Sequence, residues 1–165
     1  MLESADILAE FEFEIGSTEK LLEIVPPDKL EWQPHPKAMN LGALALHVAT
    51  IPGNNSGFAV SGKTTVGTLT DHPQPKNKEE ILGAFRNSVI RARENIKKIA
   101  AGPGDQWDLT KNGSTVLALP RSVMLRLLTL NHWYHHRGQL NTYLRILGID
   151  LPSVYGPSAD VDPFA

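Results

Sequence analysis

Cysteine is absent from the 165 residues. That excludes disulfides, thiolate metal ligands and a thiol nucleophile, so a metal here must be held by histidine, carboxylate or water, and any sulfur nucleophile must come with a cosubstrate. The absence also fits a reducing compartment. A run of about 18 apolar residues, enough to span a bilayer, is missing as well. The start Met1-Leu2-Glu3-Ser4-Ala5-Asp6 has no basic segment of the kind that opens a secretory signal. A cytoplasmic protein with no membrane partner is therefore expected. Neither sign of charge dominates: 16 Lys and Arg stand against 18 Asp and Glu, for a net charge of -2. Without a basic stripe, nucleic acid is not an expected partner. A chain of this length with 41% hydrophobic residues can bury an ordinary core, and residues 1–165 are expected to form a single domain. Internal repeats and low-complexity stretches are also lacking.

Apolar spacing outlines four helices, so the expected fold class is all-α, a four-helix bundle. The first runs from about Ser4 to Val25, with Leu8, Phe11, Ile15, Thr18, Leu22 and Val25 on one stripe, and Pro26-Pro27 stops it. Residues Asp28 to Met39, with Trp32, Pro34 and Pro36, read as an irregular connector with room for one helical turn. Asn40 is placed to cap a second helix beginning near Leu41 and carrying Leu44, His47, Val48 and Ile51, which Pro52-Gly53 should kink or end. From Ser61 to Lys76, Gly, Thr, Pro and Lys form a long connection, the crossover that makes the second and third helices parallel neighbours.

The third helix extends from about Lys78 to Ala101, capped by Asn77, with Ile81, Leu82, Phe85, Val89, Ala92, Ile96 and Ile99 as its stripe and Gly102-Pro103 as its stop. Between Gly104 and Leu119, Asn112-Gly113 marks either a small hairpin or a turn-rich loop, peripheral in both cases. The fourth helix begins around Pro120-Arg121 and continues to Leu147, with Gly148 as its stop. Its stripe reads Leu125, Leu128, His132, His136, Leu140, Tyr143 and Leu147. Ile149 to Ala165 should run as an extended tail.

The histidines on that last stripe carry the chemistry. His132 and His136 are four residues apart, so on a helix they lie roughly 40° from one another around the axis and about 6 Å along it, close enough to share one ion. A His-x-x-x-His pair by itself is a weak motif, and without an adjacent glutamate it is not the zinc-protease signature. The inward position is the stronger sign, because buried neutral imidazoles without partners cost roughly 1–3 kcal/mol each and a metal removes that cost. His47, on the other apolar-patterned helix, is the best third ligand. Three histidines leave a coordination position open, as in catalytic rather than structural zinc sites, and imidazole suits zinc and nickel alike. His135 is the rival within the motif and is placed in an outer or solvent-facing position. His35 and His72, each beside proline in a connector, read as surface residues. Arg137 and Gln139 point away from the ligand face, which gives them a surface or interface role. Gly138 inside a helix costs about 1 kcal/mol relative to alanine, which suggests close approach of another backbone, in this chain or in a partner subunit. Trp133 and Tyr134 are assigned to packing or an interface.

His135-His136-Arg137-Gly138-Gln139 with His132 before it, the ending Leu144-Arg145-Ile146-Leu147-Gly148, and Pro152 with Tyr155-Gly156-Pro157-Ser158-Ala159-Asp160 resemble the DinB-like (DinB/YfiT) metal-binding four-helix bundles. Leu30-Glu31-Trp32-Gln33-Pro34 followed by Leu44-Ala45-Leu46-His47-Val48 is similar to that family's approach to its first ligand. The resemblance implies an up-down-down-up bundle in which His47, His132 and His136 bind one divalent metal. It also implies a metal-dependent transferase that activates a low-molecular-weight thiol. The Pro52-Gly53 interruption departs from the family pattern. Two functions follow as expectations. One is an enzyme in which the metal presents a thiol or water to a small-molecule electrophile. The other is a non-catalytic, metal-stabilised, stress-associated homodimer with Gly138 at its interface. A metal-free bundle with a histidine-lined pocket is a third possibility. In a hydrolytic reaction the general base would come from elsewhere in the fold, because no Asp or Glu adjoins the ligands in sequence.

Overall fold

The structure, a computed structural model, describes residues 4–100 and 106–164. They are mostly helical. Helix α1 spans Ser4–Glu23, and a single 3-10 turn at Pro27–Lys29 follows it. Helix α2 spans Leu41–Ser61. Asn40 caps it as expected, accepting the Ala43 amide at 2.8 Å. Strand β1 (Lys63–Thr65) and the short helix α3 (Val66–Leu69) interrupt what the sequence presents as a plain connection. Helix α4 (Lys78–Ala100) begins under Asn77, whose Oδ1 accepts the Glu80 amide at 2.9 Å. The Gly102-Pro103 stop lies outside the described residues.

The all-α expectation is corrected by a three-stranded sheet in the order β1-β2-β3, where β2 is Gln106–Lys111 and β3 is Ser114–Pro120. Asn112 and Gly113 both take positive φ, 51° and 81°, the backbone of a two-residue hairpin turn. β1 pairs in parallel with β2, Lys63 opposite Asp108. The hairpin is not peripheral. Trp107 is fully buried and its indole N–H reaches Thr64 Oγ1 at 3.3 Å, so the sheet seals one end of the helical core.

The last helical run is continuous from Arg121 to Ile146. It consists of α5 (Arg121–Met124), a π-helical stretch Leu125–Asn131, and α6 (His132–Ile146). A π-turn takes up one more residue than an α-turn. The expected stripe of Leu128, His132 and His136 is accordingly displaced by one position, and the buried line is Thr129, Trp133, Arg137, Leu140 and Leu144. Arg137, expected at a surface or interface, is 3% exposed. The two histidines stand beside the core line, half-buried, on the flank that faces α2. Helix α2 packs along α4 and α6, and α4 along α1. Phe11 and Phe85 meet Trp133 with ring centroids 5.6 and 6.5 Å away.

Pro52 neither kinks α2 to an end nor breaks it, because the backbone groups it disturbs find partners elsewhere. Proline has no N–H to give the Val48 carbonyl one turn back, and the Trp133 indole N–H takes that carbonyl at 2.9 Å. Gly53 lets α4 approach closely: a Cβ there would stand 2.8 Å from Ser88 Cα, while its amide donates to Ser88 Oγ at 2.8 Å. Among the described residues no helix is long and apolar enough to cross a membrane.

Beyond α6, residues 149–164 form neither helix nor strand, yet the segment is docked against the fold. Leu151 is buried, and its amide donates to Asp160 Oδ2 at 2.9 Å. Arg145 pairs with that carboxylate and holds it below its usual range.

Candidate metal centre

The α2 residue His47 and the α6 residues His132 and His136 meet where the two helices pack. One ring nitrogen from each lies within 4.8 Å of the other two. His47 Nε2 and His132 Nε2 are 3.2 Å apart, close to the ~3.3–3.4 Å that separates two nitrogens on a tetrahedral ion at bond lengths of about 2.0–2.1 Å. Gln139, expected to face away, places Oε1 2.7 Å from His136 Nδ1. An amide oxygen only accepts, so Nδ1 carries the proton and Nε2 keeps its lone pair for the shared centre.

Burial is the main reason these rings stay neutral. It pushes His47 down to about 3 from the usual 6.5, and charge on His136, His72 and His132 would push further. His136 is pushed down to about 4 by burial against the opposing help of Gln139, and His132 is lowered by burial and by His135 and His72. Three converging neutral imidazoles form a donor set that can hold a divalent ion.

The neutrality has a measurable consequence once metal is stripped with a chelator. Below about pH 6.5 the unfolded chain protonates these rings, whereas folded His136 and His47 resist until about 4 and about 3. Their contribution to stability is thus complete above pH 6.5 and is lost progressively as the pH falls from there. Urea midpoints of the stripped protein should drop from about pH 7 to about pH 5, with a smaller drop in His47→Phe; equal drops would count against the buried, neutral triad.

A cleft of about 300 Å³ opens beside the triad, with Thr50, Asn54 and Asn55 of α2 on one wall and Thr68, Asp71 and His72 of the connection on the other. The Asn55 side-chain amide donates to the Leu128 carbonyl in the π-helical stretch. His135 is exposed, its ring 4.9 Å from that of His136. His35 is at the surface as expected, its ring Nδ1 accepting from the nearby Lys37 amide. His72 is exposed too, but its ring stands edge-on to His47 at 4.6 Å. Asp71 and His72 were out of reach of sequence reasoning, because no spacing rule links the connection to helices it merely passes. Gly138 lines a shallow hollow, and an added Cβ there would meet nothing within 4 Å. The close approach inferred from this glycine does not occur among the described residues.

A mostly helical protein with a three-histidine centre between two helices is thus the class that fold and site define. The sequence pattern of the DinB family matches residues 1–161, and the chain belongs to that family. It is 24% identical over 153 residues to the uncharacterized protein YrdA of Bacillus subtilis, covering 93% of this chain and 88% of that one. Among solved structures, a DinB-like protein from Bacillus cereus superposes with a TM-score of 0.65 at 26% identity, over 92% of this chain and 97% of that one. A DinB-like protein from Bacillus subtilis, YjoA, does so with a TM-score of 0.66 at 17% identity, over 90% and 96% of the two chains, and so shares the fold.

Proposed function

We propose that His47, His132 and His136 bind one divalent ion, zinc or nickel, and that the protein is an enzyme joining a low-molecular-weight thiol, or water, to a small electrophile. The observation that carries this reading is the convergence of three ring nitrogens beside a cleft whose largely apolar wall is set with Thr50, Asn54, Asn55 and Asp71. An ion held by three histidines supplies Lewis acidity at its open position, lowering the pKa of a bound thiol or water. The chain's own residues do the rest. Gln139 fixes the tautomer and ring orientation of His136. Asn54, Asn55 and Thr50 offer hydrogen bonds to a substrate in the cleft. In a hydrolytic reaction Asp71, the one carboxylate among the described lining residues, is the candidate general base. The long connection at residues 62–77 supports the up-down-down-up order of helices that belongs to this reading.

The second reading is a metal-stabilised homodimer without catalysis. The open surface at Gly138 favours it, since a glycine that no described residue of its own chain requires can be required by a partner subunit.

Metal analysis of untagged protein and of His132→Ala, with a thiol titration of the cobalt form, separates the readings. About one equivalent of metal, lost in the variant, together with a new near-ultraviolet absorption on adding thiol, supports the enzyme. Bound metal with no spectral response supports the structural role, and no metal in either protein defeats both. Gln139→Leu should weaken metal binding by about 10–100-fold, as loss of a hydrogen bond to a ligating histidine typically does. An unchanged affinity in competition with a chelator would show that His136 does not need this support.

A further inference from the structure

The three histidines come from α2 and α6, and a fourth imidazole stands beside His47 from a different direction. His72 lies in the connection between α3 and α4, its ring edge-on to His47 with centroids 4.6 Å apart, and it lines the cleft together with His47 and His132. The nitrogens that converge within 4.8 Å are those of His47, His132 and His136, and His72 stands just outside them, so ligation by His72 requires an inward shift of the connection. The connection is tied at both ends. At one end Thr65 is paired with Thr110 of β2, and Thr110 Oγ1 donates to the Thr64 carbonyl at 3.2 Å. At the other end Pro75 is buried, and Gln74 donates to the Leu30 carbonyl at 3.3 Å and to Glu31 Oε1 at 2.9 Å. Between these ties Thr70 to Gln74 are exposed, and Asp71 to Gln74 have no regular secondary structure. A span fixed at its ends and exposed between them can shift its middle without disturbing the core.

Three imidazoles leave a tetrahedral ion one ligand short. We propose that His72 is the exchangeable fourth ligand of this centre, closing it when the cleft is empty and giving up its position to an incoming thiol or water. This inference rests on the metal-binding reading above. It makes the connection a part of the site whose displacement accompanies substrate entry, and it explains why an exposed histidine in a loop packs against a half-buried one.

The test uses the cobalt(II) form of the full chain carrying isotope-labelled histidine, in which paramagnetically shifted imidazole spin systems are counted by NMR. Four are expected in the resting protein and three in His72→Phe, a change at an exposed position that leaves the core alone. A small thiol should take the unsubstituted protein from four to three, and His135→Phe should retain four. Three shifted rings in both the unsubstituted protein and His72→Phe, or four in both, would overturn the role of His72 and leave the triad standing. Failure of the unsubstituted protein to take up cobalt would overturn the metal-binding reading itself, and the fourth ligand with it.

Discussion

Replacing Arg137 by methionine should destabilise the protein by about 3–5 kcal/mol, the usual cost of removing one partner from a buried ion pair. Arg137 and Glu14 are 3% and 4% exposed, and Arg137 Nη1 lies 2.6 Å from Glu14 Oε2. Taking two charges out of water is tolerated only when their remaining hydrogen-bonding capacity is met. Here Nη1 also donates to Thr18 Oγ1 at 3.1 Å, Nη2 donates to the Tyr155 hydroxyl, and that hydroxyl donates to Glu14 Oε2 at 2.9 Å. The guanidinium is sandwiched by aromatic rings, with Cζ 5.9, 5.3 and 5.1 Å from the centroids of Trp133, Tyr134 and Tyr155. This arrangement fastens α1, α6 and the C-terminal segment at one point. Without the arginine, the buried carboxylate retains, among the described residues, the Tyr155 hydroxyl. The double variant Glu14→Leu/Arg137→Met removes both charges and should recover much of the loss in urea unfolding. If the double variant is as unstable as the single one, the stabilisation comes from ring packing and not from charge.

How far the sequence discloses this structure can be followed residue by residue. Helix ends were legible wherever a local rule operates: Asn40 and Asn77 cap α2 and α4, and Gly148, at φ 74°, follows the end of α6 at Ile146. His47, His132 and His136 were legible as a group because two share a helix face and the third lies on an apolar-patterned segment. The face of Arg137 was misjudged because a period of 3.6 does not hold through Leu125–Asn131. The π-helical stretch moves Trp133 and Arg137 into the core and the histidines to its edge, where a cleft can reach them. Nothing in local spacing announces such a stretch. The parallel pairing of Lys63–Thr65 with Asp108–Thr110 is non-local for the same reason, and Asn112-Gly113 discloses only the hairpin half of the sheet. His72 belongs with these long-range features.

Pro52 shows how one unusual residue can position the site, and it supports a second large prediction. Trp133→Phe should cost about 2–4 kcal/mol, combining a buried Val48 carbonyl left without its donor with a small cavity where the indole was. The carbonyl is short of a donor because residue 52 is proline. In a Pro52→Ala background the new amide can serve Val48, so the same tryptophan substitution should cost about 1–2 kcal/mol less, a coupling read from a four-protein unfolding cycle. Metal affinity should behave differently. Val48 follows His47 and Trp133 follows His132, so the 2.9 Å bond is also the tie that sets the two ligand-bearing turns against each other. Pro52→Ala repairs the carbonyl but not the tie. Trp133→Phe should therefore weaken cobalt binding by on the order of tenfold in both backgrounds, even where stability has largely recovered. Additive stabilities would mean that Val48 has another donor. An affinity that recovers along with stability would mean that general rigidity, and not this hydrogen bond, sets the spacing of His47 and His132.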